Sequence, residues 1–166
     1  MKDQAVPSKL MTVNSLKEQE MKPVIDAINP LVADAFALYV KTKNFHWHMS
    51  GPHFRDYHLL FDEQAEQIFE IIDVLAERIR KLGGLTIHSI GEIGRLQTIK
   101  DDNDSFVTPQ DMVKRLMEDN KNFAANLRKA HKVCVECDEV ATASFLEIYI
   151  DETERRTWFL FEVQAI

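Results

Sequence analysis

Hydrophobic residues along the chain recur at helical spacing, and the pattern is clearest between residues 53 and 82. Apolar positions there follow one another at intervals of three and four residues, which places them on one side of an α-helix. This stripe consists of Phe61, Ala65, Ile68, Ile72, Leu75, Ile79 and Leu82. Interpreted in the same way, the whole chain is predicted to form four long helices and one short helix.

Proline and glycine set the bounds of the first two predicted helices. The first is predicted to start at Pro23 or Pro30, because proline fits the first turn of a helix but not its interior. It ends near Met49, before the Ser-Gly-Pro break at residues 50–52. The second ends at the glycine pair 83–84, since glycine just after a helix is the usual stop signal.

The rest of the chain completes an all-α architecture. A connection over residues 85–104 is predicted to hold a short helix at about 89–99. The third long helix opens with the Thr-Pro pair 108–109, a cap followed by a proline at the first helical position, and reaches about Cys137. The fourth ends near Val163. Four long helices with one long connection predict a ferritin-like four-helix bundle with a short helix in the B–C connection, between the second and third long helices.

Composition fits one helical domain preceded by a tail. A chain of 166 residues is long enough to bury a core, and five Gly and five Pro are few. We assign residues 1–22 to a polar tail or a short helical lead-in, and residues 23–166 to one bundle domain. The net charge of −7 and the pI near 5.4 argue against a general nucleic-acid-binding surface.

The sequence favours a cytoplasmic protein. We find no hydrophobic run long enough to cross a bilayer, and the first residues lack the continuous apolar segment of a secretory signal. Two Cys are too few for a disulfide framework, as expected in a reducing compartment. We interpret Cys134 and Cys137 as packing or incidental thiols rather than as a zinc or redox pair.

A second set of residues lies on another face of the predicted second helix. His58, Asp62, Asp73 and Glu77 fall within an arc of roughly 100°, centred about 120° away from the apolar stripe. Imidazole and carboxylate groups form a mixed nitrogen and oxygen ligand set that suits iron. Members of each pair, His58 with Asp62 and Asp73 with Glu77, are four residues apart and can converge on one ion.

The two pairs cannot share an ion within one chain. Asp62 and Asp73 are separated by about 16 Å along a helix that rises 1.5 Å per residue. If the helix packs antiparallel against its own copy across a two-fold axis near residues 67–68, each pair meets the other pair of the neighbouring subunit. The spacing therefore predicts a metal site between subunits. The alternative is that these are ordinary solvated side chains on a helix surface.

The segment FHWHMSGPHFRDYHLLFD, followed by DVLAER and the LGG stop, resembles the ferroxidase signature of the Dps family (DNA-binding proteins from starved cells). The resemblance covers about residues 25–162. It implies that one subunit binds iron through three side chains and its neighbour through two more. Those of the first subunit are His46, His58 and Asp62, and those of the neighbour are Asp73 and Glu77.

The resemblance also implies an activity and an assembly. Family members form hollow shells of twelve subunits, oxidise ferrous iron with hydrogen peroxide in preference to oxygen, and store the ferric mineral inside. This ferroxidase activity protects against oxidative damage. Trp47 corresponds to a family aromatic residue beside the site, an electron donor or radical sink during oxidation, and its alternative is an ordinary core aromatic. No Glu-x-x-His motif of the ferritins with a di-iron centre inside each bundle is present.

The chain departs from the family pattern at two places. Relatives often bind DNA through a basic tail, whereas residues 1–22 carry four Lys against one Asp and two Glu. This balance disfavours DNA binding. A nucleoid protein that coats DNA, with iron oxidation secondary, is kept as the alternative function. Residues 141–144 read ATAS where relatives carry an acid that helps to line an iron-uptake pore. The candidate substitutes, or else solvated surface residues, are Asp138, Glu147 and Asp151.

Overall fold

The computed structural model describes residues 6–164, except for the side chains of residues 18 and 19. Its described part is helical and contains no strand, which confirms the predicted all-α fold. A single 3₁₀ turn at Ser8–Leu10 precedes five α-helices. These are α1 (Glu18–His48), α2 (Phe54–Lys81), α3 (Ile90–Leu96), α4 (Pro109–Glu136) and α5 (Val140–Glu162).

The four long helices pack as two hairpins. α1 lies along α2, and α4 lies along α5, each pair being joined by a short turn. The hairpins meet mainly through α1 and α4, while the short helix α3 packs against α1. All seven residues of the predicted apolar stripe of α2 are buried, which confirms the face assigned to the core.

The predicted start of the first helix is wrong, because both prolines lie inside α1. The helix begins at Glu18, within the segment that we assigned to the tail, and runs through Pro23 and Pro30. A proline inside a helix costs about 3 kcal/mol. Full burial of an aliphatic side chain stabilises by about 1.5–3 kcal/mol, and both Met21 and Val24 enter the core in this first part of α1. Tertiary burial therefore offsets the local cost.

The end of α2 follows the predicted stop. Gly83 adopts a positive φ of 88°, which glycine tolerates without steric cost. The Gly83 N–H donates to the Arg80 carbonyl at 3.0 Å, and the Gly84 N–H donates to the Ile79 carbonyl at 2.9 Å. This pair of bonds is a Schellman motif, which satisfies two of the last carbonyls of the helix.

The short helix ends three residues earlier than predicted. α3 stops at Leu96 instead of Ile99, because the following residues bind a carboxylate on α1. Asp34 is fully buried and accepts hydrogen bonds from the backbone N–H groups of Thr98 and Ile99 and from the Thr98 hydroxyl. The long connection is thereby fixed to the bundle.

The expectation that no run is long enough to span a bilayer is also wrong. By length and composition alone, the stretch Glu20–His48 of α1 passes that test. Nearly half of its most apolar part is buried inside the bundle, and the stretch includes the buried carboxylate of Asp34. Its hydrophobic character is accounted for by its place in the core of the bundle.

Candidate metal centre

Two histidines face each other where the end of α1 meets the start of α2. Their rings stack with centroids 3.7 Å apart and an interplanar angle of 21°. His46 Nδ1 lies 2.8 Å from the carbonyl oxygen of His58, and His58 Nδ1 lies 2.9 Å from that of His46. Because a carbonyl only accepts, each Nδ1 carries the proton and donates it. Each Nε2 is then the nitrogen with a lone pair for a metal ion.

Asp62 completes this cluster, one helical turn after His58. Its Oδ1 lies 3.8 Å from His46 Nε2 and accepts a hydrogen bond of 2.6 Å from Lys43 Nζ. The hydrogen bond from Lys43 lowers the pKa of Asp62 below its ordinary value, and the positive charge of Lys43 adds to this effect. The carboxylate is therefore ionised at neutral pH and already carries one cationic partner.

Asp73 and Glu77 are exposed further along the same helix. Glu77 accepts a hydrogen bond of 2.8 Å from Lys81, which lowers the pKa of Glu77. Within residues 6–164 of a single chain, no three His, Cys, Asp or Glu side chains converge as a metal-binding group. The structure thus brings His46 next to both His58 and Asp62, and leaves the second carboxylate pair apart from them.

Exposed apolar side chains lie between and around these polar residues. Phe69 on α2 is 55% exposed, and Val40 and Trp47 on α1 are 56% and 63% exposed. The alternative interpretation of Trp47 as a core aromatic is therefore wrong for the single chain. Large apolar side chains exposed on the two helices that carry the ligand candidates indicate an interaction face.

Sequence reasoning missed two members of this surface. Lys43 is four residues before Trp47 on α1, and only the fold shows that it reaches Asp62 on α2. Phe69 had a signal in the sequence, because it falls within the arc of the ligand face and next to the proposed two-fold axis at residues 67–68. A large apolar residue in that position predicts a contact rather than a solvated surface.

A buried positive charge lies on α5 in the interior of the bundle. Arg156 on α5 is buried, and it donates hydrogen bonds to Asn120 Oδ1 at 3.0 Å and to Thr153 Oγ1 at 2.7 Å. Burial lowers the pKa of Arg156 to about 10, so the guanidinium stays charged at neutral pH. A fixed cation at this place repels metal ions, which fits the missing Glu-x-x-His motif.

The remaining sequence candidates lie outside this cluster. Burial raises the pKa of Cys134 to about 12, so its thiol is unreactive, and Cys137 is half-buried and also free. Among the acidic candidates for an uptake pore, Glu147 contacts His131 Nε2 at 3.0 Å, while Asp138 and Asp151 are exposed. Their role in iron uptake stays a prediction.

Known proteins similar to this chain share both its sequence pattern and its fold. A model of the ferritin-like domain family matches residues 25–164. A low temperature-induced protein of Nostoc is 36% identical over 87% of this chain and 82% of its own length. DNA protection during starvation protein 2 of Bacillus anthracis is 31% identical over 84% of this chain and 94% of its own. The crystal structure of a Dps protein from Bacillus brevis is 30% identical with a TM-score of 0.86, covering 90% of this chain and all of that one.

Proposed function

Because the chain belongs to the ferritin-like domain family, as a miniferritin of the Dps type, we propose that it oxidises ferrous iron at sites shared between subunits. The proposed oxidant is hydrogen peroxide, and the ferric product is stored in a hollow shell of twelve subunits. Iron storage and protection from oxidative stress are properties of the family. We place the protein in the cytoplasm.

One observation carries this proposal: the two halves of a ligand set lie near the two ends of α2. His46, His58 and Asp62 cluster at the start of α2, and the exposed pair Asp73 and Glu77 lies near its end. An antiparallel contact between two copies of α2 would bring the halves together twice, once on each side of the two-fold axis. The exposed Phe69 beside that axis supports such a contact.

The protein's side chains would bind and orient the iron and compensate charge. Two imidazole Nε2 atoms, fixed by their Nδ1 hydrogen bonds, and the carboxylate of Asp62 would hold ferrous iron from one subunit. Asp73 and Glu77 of the neighbouring subunit would add negative charge that stabilises the ferric state. Two ferrous ions, one hydrogen peroxide and two waters give two FeO(OH) and four protons. Iron loses the electrons, and the O–O bond breaks as it accepts them.

Lys43 competes with iron for the same carboxylate oxygen. Replacement by methionine keeps the length of the side chain and removes its charge, so we expect Lys43→Met to tighten ferrous binding about tenfold at neutral pH. The pKa of Asp62 would rise towards its ordinary value once the hydrogen bond is lost, because that bond lowers it. The loss of binding in acid should therefore begin at a higher pH. Anaerobic ferrous titration at several pH values measures both effects.

Lys121→Met is the matched control for this variant. It also removes one positive charge, but Lys121 pairs with Glu118 within α4 and not with Asp62. Binding by the control should match the wild type. Equal ferrous affinity of Lys43→Met and the wild type would contradict the competition between Lys43 and iron.

The overall proposal is tested with the wild-type protein. Anaerobic loading with ferrous iron, followed by peroxide, should consume two ferrous ions per peroxide. The ferric product should remain with the protein during gel filtration, and native mass measurement should give twelve subunits. Oxidation no faster than that of free ferrous iron, or release of all the product, would contradict the proposal.

DNA coating is the second candidate function. The names of relatives, such as DNA protection during starvation protein 2, favour it. The charge of this chain disfavours it, because the net charge is −7 and residues 6–22 carry three Lys against two Glu. We therefore place iron oxidation first and DNA binding second.

A further inference from the structure

The segment that precedes α1 is fixed to the end of α2. We call residues 7–16 the N-terminal arm. The Thr12 hydroxyl donates a hydrogen bond of 2.9 Å to the Arg80 carbonyl, and Arg80 Nη2 donates one of 2.5 Å to the carbonyl of Leu10. The arm and the last turn of α2 are therefore linked in both directions.

Further contacts fix the rest of the arm. Asn14 Nδ2 donates to the Lys81 carbonyl at 3.3 Å, and Leu16 packs against the core. The carbonyls of Arg80 and Lys81 belong to the last turn of the helix, and the Thr12 hydroxyl is a second donor to the Arg80 carbonyl beside the Gly83 N–H. Because each such hydrogen bond stabilises by about 0.5–1.5 kcal/mol, several together hold the arm in place.

Polar side chains of the arm face its own chain, and apolar side chains face outwards. The polar Thr12 and Asn14 bind α2, whereas the apolar Met11 and Val13 point outwards and are 74% and 100% exposed. A segment that packed only on its own chain would gain by the opposite arrangement, with its apolar side chains buried. The outward apolar face therefore indicates a further surface that covers it.

The two-fold contact in the proposed function identifies that surface. Arg80 follows Asp73 and Glu77 at helical spacing, so the arm crosses α2 on the ligand face. If two copies of α2 pack antiparallel with the axis near residues 67–68, Arg80 of one subunit lies beside about residue 55 of the neighbouring subunit. The corner between α1 and α2 lies there, and it exposes Phe54 by 45% and Trp47 by 63%.

We propose that the arm of each subunit packs its outward apolar side chains on the α1–α2 corner of the neighbouring subunit. This inference rests on the proposed two-fold contact and extends it. The arm would act as a strap that adds to subunit association and covers the water-exposed side of the shared iron site. The occupant of the apolar face is thus a second copy of this chain.

Met11→Ser/Val13→Ser in the full chain tests the strap. It removes the outward apolar face and leaves Thr12 and Asn14 on α2. We expect subunit association, measured by sedimentation on dilution, to weaken at least about tenfold for the loss of two apolar contacts. The free energy of unfolding at high protein concentration should change little. The matched control is Val135→Ser/Val140→Ser, which removes two residues that are 61% and 72% exposed on other helices.

A photo-crosslinking residue at position 13 identifies the contact directly. In assemblies mixed from isotopically light and heavy subunits, we expect crosslinks between subunits to the peptide that contains Phe54. Crosslinks within one subunit only, or unchanged association of the Ser variant, would overturn the strap. If the wild type still forms shared, active iron sites in that case, the proposed function stands. If the wild type forms no such sites, the proposed function fails first.

Discussion

Two variants that are each inactive are expected to regain iron oxidation when their subunits are mixed. His58→Ala/Asp62→Ala removes one half of the proposed site, and Asp73→Ala/Glu77→Ala removes the other. A dimer of either variant has no complete site. In a mixed dimer, one site loses both halves, while the other combines the intact halves of the two subunits.

The size of the recovery follows from symmetry. Random mixing at equal amounts makes half of the dimers mixed, and each of these has one intact site out of two, so about a quarter of the wild-type rate should return. Co-expression with two different tags, followed by a peroxide-driven oxidation assay, measures it.

Matched mixtures control for the effects of mixing. Each variant mixed with itself should stay at the background rate. Glu118→Ala/Glu136→Ala removes two carboxylates from α4 and should be active without mixing. A mixture of the two site variants that stays at background would contradict a site shared between subunits. Full activity of either variant alone would show that the wrong ligands have been assigned.

Phe69→Glu is expected to abolish both dimer formation and iron oxidation while leaving the fold intact. Phe69 is half-exposed, and it packs within its own chain on Tyr39, with ring centroids 5.2 Å apart. At the proposed axis the new carboxylate would face Glu66 of the neighbouring subunit. A residue at the centre of an interface contributes about 2 kcal/mol or more to the free energy of association. Because both subunits of the dimer carry the substitution, this loss occurs twice. The loss of about 4 kcal/mol corresponds to roughly a thousandfold weaker association.

Sedimentation, circular dichroism and the peroxide assay together decide this prediction. The variant should be helical, monomeric and inactive. Val135→Glu places the same charge at a similarly exposed apolar position on α4 and should keep the dimer and its activity. An active monomer of Phe69→Glu would contradict the claim that assembly completes the site.

Sequence features predicted α2 well because its determinants are local. The apolar stripe and the glycine stop depend on neighbours within a few residues, and both appear in the structure as expected. The start of α1 depends instead on Met21 and Val24 entering a core built by distant helices. The end of α3 depends on Asp34, 64 residues before Thr98, which draws the chain out of the helix. Such long-range contacts leave no local signal.

The candidate site shows the same division. The spacing of His58, Asp62, Asp73 and Glu77 defines one face of a helix, and the structure keeps all four on α2. Spacing gave no indication that Lys43 would occupy Asp62, because that contact crosses the turn between two helices. Whether the two pairs meet depends on a second chain, and the spacing within one helix does not encode that contact.

The reciprocal hydrogen bonds between His46 and His58 have an evolutionary consequence. Each imidazole is oriented by the backbone of the other residue, and the stacked rings leave little freedom to either. A mutation that replaces one ring removes the stacking partner of the other ring, but it leaves the backbone carbonyl that orients it. A lineage that loses one of the two histidines therefore keeps the other in its orientation, and a single reversion restores the pair.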